Sequence, residues 1–355
     1  MGGANTPGIN VKALVLKGIE QLEVCDVPDP EPGPLGALIR VMANGVCRSD
    51  WHAWVGDIPR DYPMVIGHEI AGVVEEVAPG VTRFKRGDRV VVPFNGSDGT
   101  CVHCQKGWSH LCDNRTVPGR SYSGGFAEYV GVPLADHNLV ALPDPISFTD
   151  GAALGCRFMT SFHGLVDRAA IRAGEWVVVY GCGGVGLSAI NIAAALGCRV
   201  IGVDVNPGNL DLAVAMGASH TINSRDTPPV ERVLAITGGG ADVTVDALGI
   251  PATCVDGILS LAKGGRHLQI GLTTKAEAGY IKLPVDFMVY NELQLIGSLG
   301  MPPHRYASML PLVVAHKLSP GKMVTREIAL SEVEGIFRDM TRSANTGTFV
   351  VTQFR

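Results

Sequence analysis

Two stretches of this chain of 355 residues combine residue types and spacing suited to chemistry. In Trp176-Val177-Val178-Val179-Tyr180-Gly181-Cys182-Gly183-Gly184-Val185-Gly186, a valine run meets glycines in the pattern G-x-G-x-x-G at Gly181, Gly183 and Gly186. The first glycine of such a loop makes the turn, the second lets backbone approach a pyrophosphate, and the third lets helix and strand pack closely. Gly184 and Val185 then open a helix whose unpaired N–H groups face the phosphates. About 20 residues on, where a dinucleotide fold carries an acid for the adenosine ribose, the apolar run Arg199 to Val203 ends in Asp204. Asp204 repels a 2′-phosphate, and Val205-Asn206-Pro207-Gly208 supplies no cation to hold one, so the expected cofactor is NAD and not NADP.

The second stretch is Asp98-x-x-Cys101-x-x-Cys104, followed by Cys112, in a glycine-rich lobe with little apolar content. Three closely spaced thiols there suit a closed tetrahedral zinc that holds together a loop with no core of its own. Asp98 has the spacing of a fourth ligand, with His103, His110 or water as alternatives. A third set is dispersed along the chain: Cys47-Arg48-Ser49-Asp50-Trp51-His52, Gly67-His68-Glu69 and Gly155-Cys156-Arg157. Each of these fits a buried or surface residue as well as a ligand, and spacing alone does not bring them together.

The elements that would position these groups fall into two textures. From Val11 to about Ile146, short β-rich runs alternate with Gly- and Pro-containing turns, as in a small β-barrel-like domain. A helix is expected over Thr149 to Asp167. The glycine-loop strand follows, and then five more strand candidates separated by helices: Arg199 to Asp204, His220 to Asn223, Val243 to Ala247, His267 to Gly271 and Leu293 to Gly297. Six strands in βα rhythm imply an α/β fold with a doubly wound parallel sheet. Helices over Arg305 to His316 and Leu330 to Arg342 and a strand over Thr348 to Phe354 break that rhythm, which returns the tail to the first domain. The expected division is residues 1–156 with 298–355 against residues 157–297.

Bulk composition narrows the partners. A formal charge of −5, with 29 basic residues spread thinly, gives no footprint for nucleic acid. No apolar run reaches the ~18 residues of a membrane span, so the partner is a small molecule. Nine cysteines without a secretory signal fit a reducing compartment, and the expected location is the cytoplasm. Met1-Gly2-Gly3-Ala4-Asn5-Thr6 matches a myristoylation pattern, but no basic cluster accompanies it, and a disordered tail is the simpler expectation.

In order along the chain, the Cys47 run with His52, Gly67-His68-Glu69, Gly87-Asp88-Arg89-Val90-Val91-Val92-Pro93, the cysteine lobe and the glycine loop resemble the zinc-dependent medium-chain alcohol dehydrogenases, over about Val11 to Phe354. The resemblance implies a GroES-like β-rich catalytic domain and a Rossmann NAD-binding domain. It implies a catalytic zinc on Cys47, His68 and Cys156, with Glu69 able to approach the metal and Asp50 orienting His68. A structural zinc on the cysteine lobe makes two per subunit, although the family commonly has cysteine where Asp98 stands. By the same resemblance, hydride would pass between an alcohol and NAD, protons would leave through Ser49, the cofactor ribose and His52, and Arg48 would pair with the pyrophosphate. A family arginine near the C-terminus that shares this last task is absent: Gly347-Thr348 stands there. Trp51, Trp54, Phe94, Tyr122 and Leu272 are candidates for an apolar substrate wall. The chain lacks the longer loop beyond Cys112 of dimeric plant and animal relatives, which resembles the microbial homotetramers, with a homodimer as the alternative. Two other readings are a zinc-independent quinone or enone reductase of the same superfamily, which needs neither metal set, and a non-catalytic NAD sensor, which needs neither Ser49 nor His52.

Overall fold

A computed structural model describes residues 10–342 and 344–355. The myristoylation pattern at Met1 to Thr6 lies outside the described residues. The valine run forms the strand Trp176–Tyr180, flanked by parallel neighbours on both sides from Val177 to Tyr180. Alternation along it feeds two cores. Val177 and Val179 enter the one shared with the helix Gly184–Ala195, whereas Val178 and Tyr180 join Ile201, Val203 and Ile222 on the opposite face. A strand buried on both sides has no polar face to show, which is why it reads as a continuous apolar run.

Six strands make this parallel sheet, in the spatial order His220–Asn223, Arg199–Asp204, Trp176–Tyr180, Ala241–Asp246, Leu261–Gln269, Gln294–Gly297. Chain order reverses on either side of Trp176–Tyr180, the Rossmann arrangement, and ligands bind outside the strand ends at such a reversal. The GroES-like part is a seven-stranded sheet built on Ala37–Val46, which pairs with Glu69–Val77, Tyr129–Val132 and the final strand Thr348–Gln353. A smaller sheet places Val11–Gly18 between Gln21–Val27 and Met64–Val65. Among the described residues, no helix is long and apolar enough to cross a membrane.

Several elements differ from expectation, among them short strands at Met64–Val65, Tyr129–Val132 and Val140–Ala141. The helix over Thr149 to Asp167 is broken: Phe148–Ala153 gives way to π-helical Leu154–Phe158, where Gly155 leaves helical geometry at ψ −142°, then Met159–Phe162 and π-helical His163–Arg168. A Cβ on Gly155 would lie 2.6 Å from that of Glu69, so the break follows from a tertiary contact that local propensity does not encode. Strands Gln21–Val27 and Val324–Ala329 were not expected from the pattern; both lie at sheet edges and are largely solvent-facing, so they carry little apolar alternation.

Candidate metal and nucleotide site

Three segments deliver the dispersed donors to one point. Cys47 stands at the junction of the strand Ala37–Val46 and the helix Arg48–Trp54, His68 directly precedes the strand Glu69–Val77, and Cys156 sits in the helix break. Their ligand atoms all lie within 4.8 Å of one another. Asp50 organises the group: its Oδ1 accepts from His68 Nδ1 at 2.8 Å, and its Oδ2 accepts the Cys47 backbone N–H at 3.1 Å. With Nδ1 committed to a carboxylate, Nε2 keeps a lone pair for a metal.

A hydrogen bond from Cys156 draws the Cys47 thiol well below its usual pKa against the pull of burial, and His68 and Arg157 act in the same direction. That hydrogen bond holds Cys156 correspondingly high, and burial adds to it. Two thiols sharing protons beside an imidazole are a set of soft and borderline donors that suits zinc, and three protein ligands leave a fourth position open.

Glu69 is fully buried, and Arg157 clamps it: Arg157 Nε donates to Glu69 Oε1 at 3.0 Å, and Nη2 donates to Oε2. Burial works against the guanidinium charge, but Glu69 and the neighbouring thiols outweigh it and keep the Arg157 pKa above its usual value. Sequence reading missed Arg157. An arginine directly after a candidate ligand was the available signal.

Ser49 and His52 share the helix Arg48–Trp54 at a spacing that puts them on one face. Ser49 Oγ lies 3.4 Å from Cys47 Sγ, and His52 Nδ1 lies 2.8 Å from Asp57 Oδ2. Asp57 also faces Lys275 across 3.7 Å; neither was singled out from the sequence. Arg48 stacks 4.4 Å over the Trp51 ring and donates to Met340 O at 3.4 Å, and among the described residues none of its hydrogen bonds is to the glycine loop. Of the expected apolar wall, Phe94 packs edge-on to His68 at 5.9 Å. Trp54 is a correction: it is buried in the β-rich core against Phe337.

At the nucleotide loop, Gly181 has φ +90°, a conformation that favours glycine. A Cβ on Gly186 would overlap the Gly181 carbonyl oxygen, whereas one on Gly183 would meet nothing within 4 Å and would fill the space a pyrophosphate needs. The helix Gly184–Ala195 starts without a side-chain cap, which leaves its first N–H groups for an anion. Asp204 Oδ2 accepts from the Cys182 N–H at 2.7 Å and Oδ1 from the Asn206 N–H at 2.8 Å, so the carboxylate is fixed at the strand end beside the loop.

In the lobe, Cys101, Cys104 and Cys112 bring their thiols within 4.8 Å of one another, and none of Asp98, His103 and His110 joins the group, Asp98 being turned to the Thr100 N–H and to Asn114. His110 packs edge-on to His163 instead, at 4.8 Å between ring centres. Asp98 Oδ1 lies 3.4 Å from Cys112 Sγ. Hydrogen bonds from the Thr100 N–H and then from Asn114 hold its carboxyl well below the usual range, the charged form a cation would require.

A doubly wound sheet whose crevice adjoins a Cys-His-Cys cage on a GroES-like domain defines a class of two-domain oxidoreductases. The family model described as the alcohol dehydrogenase GroES-like domain matches residues 33–144, and the one described as zinc-binding dehydrogenase matches residues 184–315. The alcohol dehydrogenase of Geobacillus stearothermophilus is 35% identical over 345 residues, 96% of this chain and 99% of that protein. The NAD-dependent alcohol dehydrogenase of Sulfurisphaera tokodaii is 35% identical over 88% of this chain and 90% of its own. Among solved structures, the alcohol dehydrogenase from Thermus sp. ATN1 superposes with a TM-score of 0.89 at 30% identity, covering 96% of this chain and 99% of that one. The chain belongs to the zinc-type medium-chain dehydrogenase/reductase family and is an alcohol dehydrogenase of it.

Proposed function

We propose that this chain is a zinc-dependent, NAD-linked dehydrogenase that interconverts alcohols with aldehydes or ketones by hydride transfer. The observation that carries this reading is the meeting of Cys47, His68 and Cys156 within 4.8 Å. When bound, zinc supplies a Lewis acid that lowers the pKa of an alcohol, and NAD supplies the hydride acceptor.

The chain's own residues do the rest. Ser49 Oγ, beside Cys47, can accept and donate a proton together, and His52, its Nδ1 held by Asp57, carries the proton onward from Nε2. Phe94 keeps one wall of the cage apolar, which suits a substrate with a hydrocarbon body. Asp204 accepts from the ribose hydroxyls, and the loop Gly181 to Gly186 cradles the pyrophosphate, with Arg48 a further partner from the other domain. Glu69, which follows His68, would reach a metal during ligand exchange only by releasing Arg157, which holds both its oxygens. Cys101, Cys104 and Cys112 would hold a second zinc that ties the lobe, and Asp98, 3.4 Å from Cys112, would complete the set only by turning from Thr100 and Asn114.

A second copy of the chain is the proposed partner. Gln294–Gly297 is one of the two edges of the parallel sheet, and exposed Val285, Val289, Tyr290 and Leu295 lie on or just before it. An apolar sheet edge left open is an association surface. Light scattering of the purified protein reads the subunit count.

Turnover of NAD against a panel of primary and secondary, aliphatic and aromatic alcohols tests the activity, together with metal analysis. No turnover by zinc-loaded protein on any of them would sink the dehydrogenase reading. Reduction of quinones or enones by metal-free protein would replace it with the reductase alternative.

A further inference from the structure

One side chain meets all three ligand-bearing segments of the cage. Arg157 itself follows Cys156. Its Nη1 donates to the carbonyl of Val46 at 3.1 Å, and Val46 precedes Cys47. Its Nε and Nη2 grip Glu69, which follows His68, and its backbone N–H also donates to Glu69 Oε1 at 3.2 Å. A rigid guanidinium fork thus spans all three ligand-bearing segments, a geometry that the point donor of a lysine does not reproduce.

Three glycines on separate segments make room for this pair. A Cβ on Gly45 would overlap Glu69 Oε2 and lie 2.9 Å from Arg157 Nη2, one on Gly155 would lie 2.6 Å from Glu69 Cβ, and one on Gly184 would overlap Arg157 Cδ. Gly184 begins the helix Gly184–Ala195, so the side chain that bridges the cage also packs on the nucleotide-binding element. Thr348 stands at the same spot, 3.2 Å from a Cβ on Gly184, where the family arginine is missing. A buried ion pair is weak grounds for stability, because apolar side chains of similar volume do as well. Its presence, with space cleared for it on three sides, is therefore explained better by positioning than by stability.

We propose that Arg157 is a positioning residue that locks the three metal-bearing segments together and links that lock to the nucleotide loop, so that NAD bound at the loop slows loss of the metal. This rests on the reading that Cys47, His68 and Cys156 hold zinc. Arg157 pins the backbone on both sides of the cage, and Gly184 fixes Arg157 from behind.

The test is zinc release from the purified holoenzyme to a colorimetric chelator, with and without NAD, for wild type, Cys47→Ser, Arg157→Lys and the double variant Glu69→Gln/Arg157→Met. Cys47→Ser identifies the phase that belongs to the cage; if it holds as much zinc as wild type and loses no phase, the cage reading itself fails. The double variant leaves no unpaired charge and serves should Arg157→Lys not fold. In both Arg157 variants the cage phase is expected to speed up by about tenfold or more, the scale seen when partners of metal ligands are removed, with the cysteine-lobe phase unchanged. NAD is expected to slow release in wild type and not in the variants. A double variant that releases zinc at the wild-type rate overturns the lock, and wild-type release indifferent to NAD overturns the link to the loop.

Discussion

Asp50 joins two ligands at once: one carboxylate oxygen takes His68 Nδ1 at 2.8 Å while the other takes the Cys47 N–H at 3.1 Å. Asp50→Asn keeps the shape but replaces one acceptor with a donor, which sets it against either the imidazole or the amide. Zinc affinity at the cage should fall by roughly 10- to 100-fold. A chelator competition titration measures this, and an unchanged affinity would show that Asp50 is a bystander.

Cys47→Ser removes a thiolate from the cage and leaves the loop Gly181 to Gly186 untouched. Turnover should vanish while NAD, followed by nucleotide fluorescence, still binds, because no nucleotide contact is removed; a change in its affinity reads the coupling carried by Arg157. Retained turnover refutes the ligand assignment.

Asp204→Ala deletes acceptors for the ribose and for the Cys182 and Asn206 amides. Loss of a hydrogen bond to a charged group costs about 1.5–3 kcal/mol, roughly 10- to 100-fold in Kd for NAD. NADP should lose less, because a repulsive charge goes too. A constant NAD-to-NADP ratio counts against the role given to Asp204.

Gly155→Ala puts a Cβ against Glu69 and asks alanine to adopt φ −58°, ψ −142°, far from the favoured regions. Overpacking of this kind costs about 1–3 kcal/mol. The urea midpoint should drop accordingly; a midpoint equal to wild type would mean that the segment relaxes freely.

His267 is fully buried between Thr244 Oγ1 at 2.9 Å and Gln269 Oε1 at 3.2 Å, and burial, only partly offset by Gln269 and Asp246, lowers its pKa below 6.5. Below 6.5 the unfolded chain takes up a proton that the folded chain refuses. The unfolded state then binds more protons, so this residue makes stability fall as pH drops through and below 6.5. His267→Gln should flatten that part of the stability curve, read as the difference between variant and wild type so that metal effects cancel. Parallel curves would mean that His267 titrates normally.

Much of this protein is written locally. A strand, a tight turn and a helix occupy consecutive residues, so the glycine spacing of Gly181, Gly183 and Gly186 announces the nucleotide loop, and Asp204 follows one βα unit later. The cysteine lobe is legible for the same reason, since Cys101, Cys104 and Cys112 lie within one short loop. Solvent-facing edge strands such as Gln21–Val27 are not, because their side chains answer to water on most sides and lose the alternation that marks a half-buried strand.

By itself, then, the sequence determined the alternation of strands and helices in the nucleotide domain, the nucleotide loop and the lobe, all fixed by contacts between near neighbours. Only the tertiary structure brought Cys47, His68 and Cys156 to one point, broke the helix at Gly155 and laid Arg157 against Glu69, 88 residues away in the chain. Such contacts depend on how strands register and pack across the fold, and no spacing within a short window of residues encodes them.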